Sequence, residues 1–571
     1  MKPPLQLLVR GLTLAGLYLV PQVWLPAKDF ILTIGGGYRP ESSQASLEAN
    51  VLFFTEVLQS EHTASRRHDI FFANGDDPEP DLQVLADSPL TADSLHSSEM
   101  TTSVVELLED LYSSASDDDA IEYRKHEIED VSGPNLPTNI RDSLRRMCEQ
   151  MAAGDRLLVY VTAHGGEAKG RNRYNTSISC WDDQSITASE FGRWLDEVPP
   201  QVPVIMVMAQ CYCGGFAHTI FRNAQRNDGL SKHLRVGFFA QQHDLPAAGC
   251  RPDIENDEEY SSFFWGAFIN RSRNGTTLIS ADFNLDGQVS FAEAHAQAVL
   301  TSQTIDIPLR SSEALLRAYS RIGGGYDHRR DQDGPGRSDE QSTNAGDEAA
   351  SDPPLDGAAS DADHAKQAAD NTGQPTAAAA SEVWLDSQHL ASMTGTLDEM
   401  VQHADPALHQ TVAGLAQQLN LNMLNDVPSV FVQFEQQRDS SRELRRSASR
   451  NRRRGGSGRR QLRTEISQQW PQLTADQWRT SQFLQQSDQR DLMQQIAQLP
   501  NYERFTQGLL QRRTTQHELE QAELREVKFQ RLINTLEAIV LARNLHQVAD
   551  ADVVARYQAM LAIEQTGLSD R

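Results

Sequence analysis

The sequence predicts an α/β fold in which a mostly parallel sheet carries helices on both faces. Near-continuous apolar runs of strand length recur along the first half of the chain, and amphipathic helical patterns alternate with them. Apolar runs of this kind are typical of parallel strands that are buried on both faces. Their alternation with helices indicates strand–helix–strand units.

The predicted strands lie between about residues 29 and 245, at Phe30–Ile34, Ile70–Ala73, Leu157–Thr162, Val202–Ala209 and Val236–Ala240. Helices are predicted at Ser43–Leu58 and Asn139–Met151. A third helix is predicted after Thr187, which forms a capping box with Glu190.

Length and charge limit the classes of protein that the chain can represent. With 571 residues it is too long for one core of ordinary size, so we expect two or more folded units. It carries 52 basic and 79 acidic residues, a net charge of -27. Such an excess of negative charge disfavours nonspecific binding of the whole chain to nucleic acid.

Composition divides the chain into segments. Residues 1–27 combine a charged start, an apolar run and a small-residue exit, which predicts a signal peptide and export to the periplasm or the exterior. The alternative is a buried first helix or an uncleaved anchor, which would leave the protein cytoplasmic or membrane-anchored. Residues 28–325 hold the α/β pattern. Residues 326–382 are acidic and poor in large apolar groups, which predicts a disordered linker.

Residues 383–571 are rich in Gln, Leu and Arg and predict a helical region. Apolar residues recur at helical spacing over Gln516–Leu545, which favours a bundle or coiled coil, with self-association or a helical protein partner. The basic, glycine-containing segment 442–460 is expected to interrupt the helices. A role for this segment in binding an anionic surface is the less favoured interpretation, because blocks of like charge are usually solvated.

Two candidate catalytic residues follow predicted strands. His164 follows Leu157–Thr162, and Cys211 follows the strand at Val202. Ligands of open parallel sheets bind at the carboxyl ends of the strands, where two neighbouring ends meet in one crevice. An imidazole and the amino end of a helix, expected over Phe216–Asn223, would shift a thiol toward the nucleophilic thiolate.

Glycine and the remaining cysteines add to this hypothesis. The backbone N–H groups of Gly165 and Cys211 are candidates for an oxyanion hole. The alternative nucleophile is Cys213. The chain has five cysteines; one free nucleophile leaves four, enough for two disulfides in an oxidising compartment.

These motifs resemble the superfamily of caspases, metacaspases and legumains, known as clan CD. The resemblance rests on strand–His164–Gly165, followed 47 residues after the histidine by Cys211–Tyr–Cys–Gly–Gly. The segments Ile31–Gly37 and Glu259–Phe264 resemble bacterial legumain-type sequences. The resemblance implies a caspase-like fold over residues 28–325 and a cysteine endopeptidase that uses a His–Cys dyad and an acyl-enzyme to cleave protein or peptide substrates.

The sequence departs from the family pattern beside the nucleophile. Ala209 stands where the family often has an acid, and Cys213 stands where it often has serine. The resemblance implies that Glu258 forms another wall of the specificity pocket; the alternative is that Glu258 belongs to a solvated acidic loop.

A twelve-residue segment, Asp282–Glu293, matches the calcium-binding loop of EF-hands. The predicted ligands are the side chains of Asp282, Asn284, Asp286, Ser290 and Glu293 and the carbonyl of Gln288, with Gly287 at the turn. Thr276–Ser280 before it predicts a strand, so the loop does not belong to a complete helix–loop–helix pair. The alternative is an acidic turn that needs no metal.

Two functions are therefore consistent with the sequence. The first is a cysteine endopeptidase stabilised by Ca²⁺, which needs no cofactor for the chemical step. The alternative is a catalytically inactive, caspase-like scaffold that binds partners through its helical region.

Overall fold

The computed structural model describes residues 28–61, 66–85, 103–112, 121–248, 259–324, 389–475, 477–478 and 481–568. Over these residues the chain forms an α/β unit with a mostly parallel seven-stranded sheet and a carboxyl-terminal helical region. The predicted signal peptide (1–27) and linker (326–382) lie outside the described residues.

The seven strands of the main sheet are β1 (Asp29–Gly36), β2 (Arg66–Phe72), β5 (Val131–Gly133), β6 (Arg156–Ala163), β10 (Val204–Met208), β11 (Arg235–Phe239) and β12 (Leu309–Arg310). Their order is β12-β11-β10-β6-β1-β2-β5, and only β12 runs antiparallel to its neighbour. The five predicted strands are confirmed. Every residue of β1, β6, β10 and β11 is buried, so both faces of the sheet are covered, as predicted.

Two smaller sheets flank the main one: β3 (Leu82–Leu85) with β4 (Ile121–Arg124), and β7 (Gly165–Gly166) with β8 (Ser177–Cys180) and β9 (Gln184–Thr187). The α-helices of this half are α1 (Ala45–Ser60), α2 (Val104–Tyr112), α3 (Pro137–Cys148), α4 (Ala188–Leu195), α5 (Tyr260–Ile269), α6 (Phe291–Thr301) and α7 (Ser311–Tyr319). The Thr187 hydroxyl accepts a hydrogen bond from the Glu190 N–H, which confirms the predicted start of α4.

Two local predictions are wrong. The segment expected to be a helix over Phe216–Asn223 is instead a 3-10 helix over Cys213–Ile220, because close packing of Gly214 and Gly215 against neighbouring loops starts the turn earlier. Thr276–Ser280 is not a strand. Its backbone pairs with the short return after α5 at a single bridge, between Arg271 and Thr277, and one bridge is too short to form a strand.

The carboxyl-terminal region is helical, as predicted. Its helices are α8 (Leu397–Val401), α9 (Pro406–Gln418), α10 (Val427–Gln469), α11 (Gln482–Gln486), α12 (Gln489–Ala497), α13 (Tyr502–Val548) and α14 (Ala551–Glu564). The long helices α10 and α13 pack side by side along their length.

The basic segment 442–460 does not interrupt the helices, contrary to expectation. Helix α10 continues through it without a break. Arginine is a good helix former, and acidic side chains relieve part of the like-charge repulsion. The Arg445 guanidinium, for example, lies 2.8 Å from the Glu523 carboxylate on α13.

The α/β half and the helical region share one hydrophobic core. The same cluster of buried residues contains strand residues such as Val159 and Met206, and helical residues such as Leu415 and Leu536. The last described residues also reach the sheet: Leu568 is buried, and its carbonyl oxygen accepts a hydrogen bond from Arg156 at 2.9 Å.

A second core lies at the far end of the α10–α13 pair. Its helical side is lined by Leu462, Ile466, Trp470, Leu473, Trp478, Leu484, Leu492, Ile496, Phe505 and Leu509. The other side is α2, an element of the α/β half that lies between β3 and β4 in the sequence. Both of these cores therefore contain segments from both halves, whereas a third cluster, around Val51 and Phe72, lies within the α/β half alone. No helix of the described residues is long and apolar enough to cross a membrane.

Candidate functional site

The two predicted catalytic residues follow neighbouring strands at matching positions. β6 and β10 are parallel partners, with Val161 opposite Met208. The Ala209 N–H continues the ladder by donating to the Val161 carbonyl at 2.9 Å. His164 stands three residues beyond Val161, and Cys211 three residues beyond Met208. The register thus brings the imidazole and the sulfur to the same edge of the sheet.

The backbone at this edge is tightly packed. A Cβ atom on Gly165 would lie 2.0 Å from the carbonyl oxygen of Cys211, so any side chain there would push the two strand ends apart. Tyr212, directly after the cysteine, has φ 59°, in the left-handed region that non-glycine residues seldom adopt. The chain therefore turns sharply as it leaves Cys211.

The loop after β1 fixes the tautomer of His164. The Nε2 atom lies 2.8 Å from the Ser42 carbonyl oxygen and 2.9 Å from Oε1 of Gln44. A carbonyl oxygen only accepts hydrogen bonds, so Nε2 carries the proton and donates it. In the neutral imidazole, Nδ1 is then the nitrogen that can accept a proton.

Burial lowers the pKa of His164 below its ordinary value, and the hydrogen bond to the Ser42 carbonyl partly opposes this change. The imidazole is therefore neutral at neutral pH. Its Nδ1 atom can therefore accept a proton.

Cys211 is disulfide-bonded in the structure. Its sulfur also accepts a hydrogen bond from the Ala247 N–H at 3.1 Å. Cys148, Cys180 and Cys213 are free thiols. With three of the five cysteines free, the structure leaves room for one disulfide, although the cysteine count alone would allow two.

The alternative nucleophile, Cys213, is fully buried. Its sulfur accepts a hydrogen bond from the Gln241 N–H at 3.2 Å. Burial raises the pKa of this thiol to about 12. A thiol of this kind is almost entirely protonated at neutral pH and is a poor nucleophile. Cys211 is buried as well, at 3% exposure.

A buried polar network supports the end of β6. Asn50 on α1 donates to the Thr162 hydroxyl at 3.0 Å and to the Glu259 carboxylate at 2.5 Å. The Arg273 guanidinium donates to the Asn50 side-chain oxygen at 2.7 Å. Thr162 lies two residues before His164, so the network holds the strand end that carries the histidine.

The segment Asp282–Glu293 follows a tight turn. Gly287 at the sixth place has φ +90°, the left-handed conformation that glycine adopts without strain. Asp282 accepts hydrogen bonds from the N–H groups of Asp286 and Gly287, both at 3.0 Å. The backbone path thus fits the predicted calcium loop.

The carboxylates of the loop do not converge. Glu293 accepts hydrogen bonds from Phe283 and Asn284 at one oxygen and from Ser290 at the other. Among the described residues, no group of three or more His, Cys, Asp or Glu side chains is arranged to hold a metal ion. The carboxylates of Asp282 and Glu293 thus accept hydrogen bonds from backbone groups of the loop itself.

Of the remaining predicted site residues, Gln288 donates its N–H to the Asp286 carboxylate at 2.9 Å. Glu258 lies outside the described residues. Ala209, where the family often has an acid, is partly buried against the core and offers no charge.

The residues that hold His164, Ser42 and Gln44, were not predicted from the sequence. They follow β1, and β1 lies beside β6 in the sheet, with Gly36 opposite Ala163. The available signal was a polar segment directly after the first strand. The order of the strands, which makes that segment a neighbour of His164, cannot be read from the sequence.

No protein-family model and no curated protein matches the chain. Among solved structures, the chain has a weak likeness to a crystal structure of the protein GSU0716 from Geobacter sulfurreducens, with a TM-score of 0.25 and 8% identity. The match covers 50% of this chain and 92% of that chain. A likeness at this level carries no argument about fold family or function. What the fold and site define is an α/β protein with a histidine and a cysteine at adjacent strand ends.

Proposed function

We propose that the chain is a cysteine endopeptidase of the caspase-like type, with His164 and Cys211 as its dyad. The observation that carries the proposal is the matching position of the two residues at the carboxyl ends of adjacent parallel strands, three residues beyond the pair Val161 and Met208. The resemblance of the flanking motifs to clan CD peptidases supports the same function.

The hydrogen bonds of His164 suit a general base. With Nε2 donating to Ser42, Nδ1 takes the proton of the thiol, and the thiolate attacks the carbonyl carbon of the scissile peptide bond. The imidazolium then protonates the departing amine. Water activated by His164 hydrolyses the acyl-enzyme and releases the thiol. The N–H groups of Gly165 and Cys211 are the proposed donors to the oxyanion.

The disulfide at Cys211 makes reduction a precondition of this chemistry. A sulfur in a disulfide has no thiolate to offer, so a dithiol must first reduce the bond to two thiols.

The test is labelling of the full-length protein by an electrophilic thiol probe, before and after dithiothreitol, together with cleavage of a peptide library. Reduced wild type should label at Cys211 and cleave. Cys211→Ala should lose labelling at that site and at least about 10³-fold in cleavage rate, since the nucleophile is gone. Cys213→Ala is the matched control, because it removes a neighbouring thiol that is buried.

His164→Ala should slow alkylation of Cys211 near pH 7, because the thiol loses its base. If reduced Cys211→Ala cleaves peptides as fast as wild type, the proposal is wrong. If Cys211 labels but no library peptide is cleaved, the inactive scaffold is the better description.

We propose in addition that Ca²⁺ binds at Asp282–Glu293 and stabilises the fold. The spacing of oxygen ligands and the turn at Gly287 support this role. The loop leads directly into α6, a helix of the shared core. A metal ion that fixes the loop would therefore stabilise the start of this helix as well.

A further inference from the structure

A cavity of about 250 Å³ lies between the last strand of the sheet and the carboxyl-terminal helices. Residues of α6 and β12 line one side, and residues of α9, α13 and α14 line the other. Its apolar wall includes Leu408, Ile539, Ala542 and Leu561. The cavity has the mixture of apolar wall and few polar groups that small-molecule sites show, at a size just below their usual range.

The polar end of the cavity is a buried ion cluster centred on Arg310. One guanidinium nitrogen of Arg310 lies 3.2 Å from Glu564, and another lies 3.4 Å from Glu313. All three residues are buried. Asp405 stands at the rim, where its carboxylate accepts a hydrogen bond from Gln565 at 2.9 Å.

The cluster has more negative than positive groups. Three carboxylates, those of Glu313, Glu564 and Asp405, surround the single guanidinium of Arg310. Burial raises the pKa of Glu564, Arg310 opposes this change, and the two other carboxylates add to it.

One oxygen of the cluster is unsatisfied. Within the described residues, Oε1 of Glu564 has no hydrogen-bond partner of good distance and angle. The hydroxyl of Ser312, outside the cavity, lies near enough to lower the pKa of this carboxyl and supplies only part of what the oxygen lacks. Glu564 is 0% exposed and lines the cavity. A buried carboxylate oxygen without a donor costs free energy, so a guest that brings a donor would be favoured.

The nearby cations do not supply that donor. Arg543, at the rim, donates to the backbone carbonyls of Glu399 and Met400. Arg531 lines a smaller adjoining cavity and donates to four backbone carbonyls instead.

We propose that this cavity binds a small organic cation. Its ammonium or guanidinium group donates to Glu564, and its carbon chain lies against Leu408, Ile539 and Leu561. The proposal does not depend on peptidase activity, because every residue that carries it lies outside the His164–Cys211 site. A guest here contacts both halves of the molecule and stabilises their junction.

The experiment is calorimetric titration of the full-length protein with three probes of equal chain length: n-butylammonium, n-butanol and butyrate. The cation should bind with a dissociation constant of about 1 mM or tighter and raise the melting temperature. The neutral and anionic probes should bind at least about tenfold more weakly. Equal uptake of all three would overturn the proposal, because it would show an apolar cavity without charge selection.

Two variants test the site itself. Ala542→Leu fills the cavity from α13 and should abolish uptake of n-butylammonium, whereas Ala562→Leu, at an exposed position of α14, should leave it unchanged. Glu564→Gln should remove the preference for the cation over n-butanol. Uptake by Ala542→Leu equal to that of wild type overturns the proposal. Ala542→Leu decides the matter even if Glu564→Gln fails to fold, because it leaves the ion cluster intact.

Discussion

At the scale of single residues, the orientation of one imidazole decides what the candidate site can do. The Ser42 carbonyl and the Gln44 amide both face Nε2 of His164, which leaves Nδ1 as the ring nitrogen that can accept a proton. The carbonyl belongs to the backbone, so substitution of Ser42 does not remove it. Gln44 is the partner that can be changed, and its side chain is buried beside the ring.

Gln44→Glu should change the pH dependence of kcat/KM. The acidic limb of this profile, where activity falls as the pH is lowered, should move to higher pH. A carboxylate beside Nε2 stabilises the imidazolium and raises the pKa of His164, by about one unit or more. The limb should lie below pH ~6.5 in wild type, because burial lowers the pKa of His164 from that ordinary value. The measurement is kcat/KM of the reduced protein over about five pH units, from about pH 4 to about pH 9.

Gln44→Met is the matched control, since it keeps the length of the side chain without the charge. It should move the limb to lower pH or leave it in place, because it removes a hydrogen-bond acceptor from Nε2. A limb that stays at the same pH in Gln44→Glu would show that His164 does not govern the rate.

Some residues of the candidate site could be predicted from the sequence, and others could not. The positions of His164, Gly165 and Cys211 beyond strand ends were predictable, because an apolar run alone indicates where a buried strand ends. Ser42 and Gln44 were not, because they depend on which strand lies next to which. The disulfide at Cys211 depends on distance in the folded chain, which the spacing of cysteines does not fix.

At the scale of elements, the segment Asp282–Glu293 matches a calcium loop in its backbone path, while its carboxylates accept hydrogen bonds from loop N–H groups. Calcium should raise the melting temperature of the protein, and a chelator should lower it. A metal that binds only the folded chain adds about 2.7 kcal/mol at a hundredfold excess over its dissociation constant. Scanning calorimetry with Ca²⁺, Mg²⁺ and chelator measures the effect, and Mg²⁺ should substitute poorly.

Glu293→Gln should reduce this calcium response most, because it removes a charge from the predicted bidentate ligand. It also perturbs hydrogen bonds within the loop, so the change on adding calcium is compared, not the melting temperature of the metal-free protein. Asp182→Asn, at an exposed position outside the loop, is the control. If calcium at millimolar concentration leaves the wild-type melting temperature unchanged, the loop is an acidic turn.

A second element, α2, depends on arginines of the helical region. Arg459 donates to the backbone carbonyls of Asp110 and Leu111, both at 2.8 Å, and Arg463 also donates to Leu111 at 2.8 Å. These carbonyls end α2, where the helix dipole is negative and favours cations. The apolar face of α2 completes the second core, so the arginines and the core together hold this helix in place.

Arg459→Ala should loosen α2 without unfolding the sheet. It removes two hydrogen bonds from a charged donor, each worth roughly 1.5–3 kcal/mol. Hydrogen exchange of the peptides that cover Val104–Tyr112 should rise, while that of β6 stays constant. The control is Arg460→Ala, since Arg460 is exposed and bonds only within its own helix, to Gly456. Equal exchange in both variants would mean that the apolar contacts alone fix α2.

At the scale of the whole molecule, the division into an α/β half and a helical half was predictable, but their common core was not. Alternation of apolar runs identifies strands, and helical spacing identifies helices, because both are local patterns. The contact between Leu415 and the sheet side of the core depends on packing between distant segments. The continuous helix through residues 442–460 depends likewise on the neighbouring helix α13, which no local pattern reveals.

Several hydrogen bonds join the two halves where residues 566–568, after the last helix, lie against the sheet. Arg156 at the start of β6 pairs with Asp29 and donates to the carbonyls of Gly567 and Leu568. The Phe291 N–H, at the start of α6, donates to the Thr566 carbonyl at 2.9 Å. Since the guanidinium is buried, loss of these carbonyls would leave buried donors without partners.

Leu568→Ala should therefore destabilise the sheet as well as the helices. Leu568 is 1% exposed, and truncation of a buried leucine to alanine costs about 2–5 kcal/mol. Hydrogen exchange should accelerate in β6 and in α13 together, because one core holds both. Leu424→Ala is the matched control: Leu424 is 72% exposed in the same helical region and should change neither. Faster exchange in α13 with β6 unchanged would show that the halves unfold separately, whatever contacts they share in the folded state.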